Sequence, residues 1–119
     1  MRVYIAGPLE SGPDPAANVR RALDAATALL DAGLVPYVPH LTWFWNESHP
    51  RPRETWLALD REWLSTCDAV LRLPGESPGS ELEELWAREL GLPVFPSLGE
   101  LLTWAEVPLQ ECRPPTEAR

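Results

Sequence analysis

Asp60 is a carboxyl group whose sequence surroundings suggest chemistry. It lies in a run of helical period, and its neighbours three and four positions away on the same helical face are apolar: Trp56, Leu57, Trp63 and Leu64. A carboxylate in such a stripe is either satisfied by a buried hydrogen-bond donor, or it is an acid whose pKa burial has raised for proton transfer. Periodicity alone favours the first alternative, in which a buried donor satisfies Asp60 and the residue has no catalytic role.

Glu83 is a second candidate, in a segment that follows a predicted strand and opens a predicted helix. Ser80 and Glu83 have the spacing of a capping box, in which the Glu side chain only satisfies a backbone N–H at the helix start. The same spacing suits a site where the small residues Gly79 and Ser80 let a sugar approach the backbone while Glu83 points into a cleft. The residues alone leave both interpretations open.

Composition excludes several kinds of chemistry. All ten basic residues are Arg, and the absence of Lys removes a Schiff base, a pyridoxal phosphate anchor and the Lys of a P-loop. His40 and His49 have no acidic or Cys companion at metal-ligand spacing, so no metal site is predicted. Gly7 and Gly12 do not form a dinucleotide-binding fingerprint, and we expect no cofactor.

Charge and hydropathy limit the partners. The net charge of −8 has the wrong sign for attraction to a phosphate backbone, so no polymeric nucleic acid is expected to bind. Cys67 and Cys112 lack the companions of a metal site or a disulfide framework, which predicts reduced thiols. With neither an apolar signal segment nor a run of membrane-spanning length, we expect a cytoplasmic protein without membrane association.

Apolar periodicity and turn residues divide the chain into alternating strands and helices. Strands are predicted over residues 3–6, 34–38, 68–73 and 92–95, and helices over residues 16–32, 54–66, 80–90 and 98–104. Pro36 suits an edge strand better than the centre of a sheet. Residues 39–53 form a long connection, rich in aromatic side chains, which we expect to form one wall of a pocket.

This alternation predicts an α/β fold with a doubly wound, flavodoxin- or Rossmann-like parallel sheet of four to five strands and helices on both faces. One domain is expected over residues 1–106, followed by a flexible tail over residues 107–119. Ligands bind such sheets beyond the carboxyl ends of the strands. The loops after Ala6, Val38 and Leu73 should therefore converge on the site.

Three blocks of sequence, in this order, resemble the nucleoside 2-deoxyribosyltransferase family: Tyr4-Ile5-Ala6-Gly7-Pro8, Asp60 with Asp68 eight residues later, and Ser77 to Glu83. The resemblance covers residues 1–95. It implies that Glu83 attacks the sugar of a deoxynucleoside and holds it covalently until another base or water takes it. It also implies that Asp60 protonates the departing base and that Tyr4 holds the catalytic carboxylate in line.

The resemblance further implies a substrate site at Gly7, Pro8, Ser77, Gly79 and Ser80. Where transferases of the family often carry Asp six residues before the nucleophilic Glu, this chain has Ser77, which is more similar to the branch that hydrolyses deoxynucleoside 5′-monophosphates. The Ser77 hydroxyl group and the N–H groups around Gly79 would then hold a phosphate.

The expected partner is a small-molecule nucleoside or nucleotide, and a homo-oligomer is expected. The family often completes its site with an Asn from a neighbouring subunit, and no matching residue follows Phe95. Two other interpretations remain. In one, the chain is a non-catalytic nucleotide-binding or sensing module on the same fold. In the other, it is a structural domain whose aromatic loop binds a partner protein and in which Glu83 only caps a helix.

Overall fold

The computed structural model describes residues 1–106, so the tail predicted over residues 107–119, with Cys112, lies outside the described residues. The elements are β1 (Arg2–Ala6), α1 (Pro15–Asp31), β2 (Val35–Tyr37), a 3-10 turn (Pro39–Leu41), α2 (Thr42–Ser48), α3 (Arg53–Leu64), β3 (Ala69–Arg72), α4 (Pro78–Glu89), β4 (Val94–Phe95) and α5 (Leu98–Trp104). Within residues 1–106, none of the helices combines the length and the apolar character needed to cross a membrane.

The four strands form one parallel sheet in the order β2-β1-β3-β4. This confirms the predicted α/β fold. β2 lies at an edge of the sheet, as the proline in its sequence predicted, because Pro36 has no N–H to donate to a further strand. Tyr4 of β1 lies in register with Tyr37 of β2, so these two tyrosines are neighbours at the same level of the sheet.

Helices cover both faces of the sheet, and the alternation of side chains along β1 divides the core between them. Val3 and Ile5 pack in a cluster with residues of α1 and α5, while Tyr4 and Ala6 pack in a second cluster with residues of α3 and α4. The fold is therefore doubly wound, and the second cluster places a tyrosine under the helices that carry Asp60 and Glu83.

The long connection predicted over residues 39–53 contains two elements that were not predicted, the 3-10 turn and the helix α2. α2 is only seven residues long and has no side-chain cap. Contacts with α3 support it: the Trp56 indole N–H donates to Asn46 at 2.8 Å, and the rings of Trp45 and Trp56 lie 5.0 Å apart. Tertiary packing thus stabilises this short helix in the absence of a side-chain cap.

The loops that follow β1 and β3 are in close contact at the carboxyl end of the sheet. A Cβ atom added to Gly7 would lie 2.9 Å from the Cβ of Leu73, and one added to Gly75 would lie 2.8 Å from the Cγ of Pro8. Gly75 also has a φ of +118°, which side chains with a Cβ rarely adopt. Small residues are therefore needed where the two loops approach each other.

Candidate active site

A cavity of about 510 Å³ lies at the carboxyl ends of the strands, as predicted for this fold. Its walls come from the loop after β1, the 3-10 turn, α2 and the segment after it, one side of α3, and the N-terminal half of α4. The sequence-predicted site residues that line it are Gly7, Asp60, Ser77, Gly79, Ser80 and Glu83. Two others do not line it: Tyr4 lies beneath Glu83, and Pro8 packs against Gly75.

Glu83 is held by a hydrogen bond from the sheet. Tyr4 is fully buried in β1, and its hydroxyl group donates to Oε2 of Glu83, which is 9% exposed on α4. The other oxygen of Glu83, Oε1, has no hydrogen-bond partner among residues 1–106. The carboxyl group is thus fixed through one oxygen, while the other remains available to a ligand.

The capping-box interpretation of Glu83 is wrong. α4 begins at Pro78, two residues earlier than predicted, and its N-cap is Ser77, whose Oγ accepts from the Ser80 N–H at 3.2 Å. Ser80 is therefore inside the helix, and the Glu83 carboxyl group bonds to Tyr4. The Ser80 Oγ is buried and has no hydrogen-bond partner in the described part of the chain.

Burial dominates the electrostatics of Glu83. Removal from water raises its pKa to about 8, with a smaller contribution from the charge of Asp60 in the same direction. The hydrogen bond from Tyr4 and the positive charge of Arg72 act in the opposite direction, because both favour the carboxylate. The pKa of Tyr4 is raised well above its ordinary value, chiefly by burial, so its hydroxyl group stays a donor.

Asp60, on α3, has both features considered from the sequence: a buried hydrogen-bond donor satisfies it, and burial raises its pKa. It is 9% exposed, it accepts a hydrogen bond from the Tyr37 hydroxyl group at 3.3 Å, and burial raises its pKa to about 7 despite that bond. Asp60 and Glu83 face one cavity, and the charge of Asp60 adds to the rise in the pKa of Glu83. Burial beside one cavity thus favours the protonated form of both carboxyl groups.

His40 is a cavity residue that sequence reasoning considered only as a metal ligand. It is 2% exposed in the 3-10 turn, and its Nε2 lies 3.1 Å from the Gly7 carbonyl oxygen. A carbonyl oxygen only accepts, so Nε2 carries the proton and Nδ1 is an acceptor, which has no partner in residues 1–106. Burial lowers the pKa of His40 to about 4, which keeps the ring neutral.

Three further residues of the site were missed. Tyr37 was predicted only as part of a strand, although its place in register with Tyr4 brings it to Asp60. Arg51 and Arg53 were predicted as part of a connection, yet both line the cavity. Residues 1–106 contain no group of three or more His, Cys, Asp or Glu side chains that could hold a metal ion.

The sequence model of one protein family matches residues 1–96 of the chain. That family is described as a domain of unknown function (DUF7768). No curated protein matches the chain.

Solved structures of two 2-deoxyribosyltransferases are similar to this fold. One is the enzyme of the bacterium Bacillus psychrosaccharolyticus, described as a biocatalyst for nucleoside synthesis, at 19% identity and a TM-score of 0.58 over 79% of this chain and 69% of that one. The other is the enzyme of Leishmania mexicana, at 19% identity and a TM-score of 0.60 over 79% of this chain and 61% of that one. The likeness shows a shared fold.

Proposed function

The chain belongs to the DUF7768 family, and from the geometry of its cavity we propose that it is an enzyme that cleaves the N-glycosidic bond of a (deoxy)nucleoside or its 5′-monophosphate. The observation that carries this proposal is the presence of two buried carboxyl groups, Glu83 and Asp60, on one cavity, with Tyr4 bonded to the first. The fold shared with 2-deoxyribosyltransferases supports it.

Glu83 is the proposed nucleophile. Its free oxygen, Oε1, forms a bond to the anomeric carbon of the sugar while the bond from that carbon to the base nitrogen breaks, and the electron pair of that bond leaves with the base. Tyr4 holds Oε2 and keeps the carboxylate oriented toward the cavity. The product of this step is a glycosyl ester of Glu83 and a free base.

Asp60 is the proposed general acid and base. It gives its proton to the base nitrogen as the glycosidic bond breaks, and the resulting carboxylate then accepts a proton from the molecule that attacks the ester. Attack by water gives hydrolysis, and attack by a second base gives transfer of the sugar. Either attack releases the Glu83 carboxylate and restores the protonated Asp60.

This mechanism needs a charged Glu83 and a protonated Asp60. Burial raises the pKa of Glu83 to about 8 and that of Asp60 to about 7, so in the free protein the form with a charged Glu83 and a protonated Asp60 is the minor one. The hydrogen bond from Tyr4 favours the charged form of Glu83 and therefore increases the productive fraction.

The polar groups of the cavity support a substrate that carries a 5′-phosphate. Arg51 and Arg53 line the cavity, and neither forms an ion pair within residues 1–106. The N-terminus of α4 adds the Ser77 hydroxyl group and Gly79, both at the cavity wall. Guanidinium groups, hydroxyl groups and a helix N-terminus together suit a phosphate in a protein of net charge −8.

A nucleotide-binding or sensing module without catalysis is the second candidate. Its support is the pKa of Glu83, which burial raises to about 8. A carboxyl group that is largely protonated at neutral pH is a poor nucleophile but a good hydrogen-bond donor to a ligand.

The test is incubation of the full chain with a panel of deoxynucleosides and their 5′-monophosphates, with free base measured by chromatography. We expect base release, and we expect Glu83→Gln to lower it about a thousandfold or more, because the amide does not form the ester. Glu81→Gln is the matched control, since Glu81 is exposed on the same helix. Ligand-induced thermal stabilisation without base release, with or without an acceptor base, would contradict the enzyme and support the binding module.

A further inference from the structure

Tyr37 repeats, on the neighbouring strand, the arrangement of Tyr4. The two residues are Cα partners in the parallel pair β1 and β2. Tyr4 donates a hydrogen bond to Glu83, and Tyr37 donates one to Oδ1 of Asp60 at 3.3 Å. Adjacent strands thus present one phenol to each of the two carboxyl groups.

The ring of Tyr37 is held between two aromatic neighbours. Its centroid lies 5.5 Å from that of Tyr4 and 5.5 Å from that of Trp63, with which it is stacked at an interplanar angle of 19°. Asp60 lines the cavity, whereas Tyr37 is not among the residues that line it. Tyr37 lines a second cavity, of about 570 Å³, with Trp63, so the phenol reaches Asp60 from outside the cavity that holds the two carboxyl groups.

We propose that Tyr37 is a positioning residue for Asp60: its hydroxyl group holds Oδ1, so that the acid proton is carried on Oδ2, on the side of the cavity. Oδ2 has no hydrogen-bond partner within residues 1–106, and unlike the Ser80 Oγ it is not fully buried. Because Asp60 lines the cavity, Oδ2 is open to it. The inference rests on the proposed function, in which the proton on Oδ2 passes to the departing base.

The hydrogen bond from Tyr37 also affects how Asp60 titrates. The titratable and charged groups that line the cavity with Asp60 are Glu10, His40, Arg51, Arg53 and Glu83, and Tyr4 on β1 is influenced by the charge of Asp60. Burial raises the pKa of Asp60, and the Tyr37 hydroxyl group lowers it because it stabilises the carboxylate. Loss of that hydroxyl group should therefore raise the pKa of Asp60 further.

The experiment compares the full-length wild type with Tyr37→Phe, which keeps the ring and removes only the hydroxyl group. Carbon-13 NMR of the Asp60 carboxyl group gives its titration midpoint, and base release is measured against pH in parallel. We expect the midpoint to rise by about one pH unit, as for the loss of one hydrogen bond to a charged group. We also expect base release at the optimum pH to fall roughly tenfold, with the alkaline limb of the profile shifted to higher pH.

Trp63→Phe is the matched control, because it changes the packing against Tyr37 but keeps the hydroxyl group, and it should leave the Asp60 midpoint unchanged. An unchanged midpoint in Tyr37→Phe, or an unchanged rate at the optimum pH in an active protein, would overturn the proposal. If the wild type released no base and the midpoint still rose, the proposed function would fail while the link between Tyr37 and Asp60 would be supported.

Discussion

Burial and hydrogen bonding act in opposite directions on the two carboxyl groups of the cavity. Burial raises the pKa of Glu83 and of Asp60 toward neutrality, while a phenol from the sheet bonds to each and favours its charged form. The proposed cleavage of an N-glycosidic bond requires an ionised nucleophile and a protonated acid at the same pH. Each phenol therefore opposes the effect of burial on the carboxyl group to which it bonds.

Tyr4→Phe should change both the rate of base release and its pH dependence. Loss of the hydrogen bond raises the pKa of Glu83 above about 8, so the acid limb of the kcat/KM profile moves to higher pH. We expect base release at neutral pH to fall roughly 10- to 100-fold, because the free energy of one hydrogen bond to a charged group corresponds to a rate change of that size. Trp104→Phe, an exposed aromatic residue on α5, is the control. An acid limb that does not move would contradict this account of Glu83.

Arg51→Gln and Arg53→Gln test the preference for a 5′-phosphate. We expect either variant to lower the ratio of kcat/KM for a monophosphate to that for the corresponding nucleoside, roughly tenfold or more, because a charged hydrogen bond to the phosphate is lost. Arg20→Gln, with an exposed side chain on α1, should leave the ratio unchanged. If both cavity variants retained the wild-type ratio, the phosphate would bind elsewhere or not at all.

Prediction from the sequence differed sharply between individual site residues. Asp60 and Glu83 were singled out as an acid in an apolar stripe and an acid at a helix start, but those patterns left their roles open, and only the family resemblance predicted catalytic roles. Tyr37 could not be predicted, because its contact with Asp60 depends on the register between β1 and β2. The position of Arg53 at the cavity depends similarly on the path of the chain between α2 and α3, which the pattern of apolar residues does not predict.

Loops and helix starts, rather than strands, determine the shape of the cavity. The loop after β1 packs on the loop after β3 through Gly7 and Gly75. The helix α4 begins at Pro78, shortly after Gly75 in the chain. The strands were predicted correctly because short apolar runs between turn residues are strong signals. α2 was missed because its consecutive aromatic residues have no helical period, and the start of α4 was misplaced because Ser77, not Ser80, is its cap.

Gly75→Ala should disrupt the loop contact. The new Cβ would meet the Cγ of Pro8 at 2.8 Å in a backbone of φ +118°, so we expect a loss of more than about 1 kcal/mol of unfolding free energy. The control is Gly99→Ala, which meets no atom within 4 Å and removes a glycine from α5, and should be neutral or stabilising. Chemical denaturation of both variants measures the difference. Equal stabilities would show that the two loops do not constrain each other.

At the scale of the whole molecule, the site lowers stability at alkaline pH. Glu83 and Asp60 have pKa values above their ordinary ones in the folded protein, so the stability linked to their protonated forms is present at low pH and is lost as the pH rises through about 7 to 8. His40 acts at the other end of the range. Its pKa is lowered to about 4 by burial, so stability is lost as the pH falls toward that value.

Glu83→Gln should therefore gain stability relative to the wild type as the pH rises. An amide does not ionise, so we expect the difference in Tm between the variant and the wild type to increase in favour of the variant from about pH 6 to about pH 9. Thermal unfolding of the full chain measures this difference. Glu81→Gln, on the exposed face of α4, should show no such trend. A constant difference for Glu83→Gln would mean that Glu83 does not change its charge in this range.

The most direct measurement is the mass of the protein after incubation with a nucleoside, or its 5′-monophosphate, that carries fluorine at C2 of the sugar. The fluorine destabilises the oxocarbenium-like transition state and slows turnover of the ester once the base has left. We predict that the protein gains the mass of the sugar moiety, that peptide mapping places it on Glu83, and that Glu83→Gln gains none. Base release without this adduct, or an adduct on another residue, would contradict a covalent mechanism on Glu83.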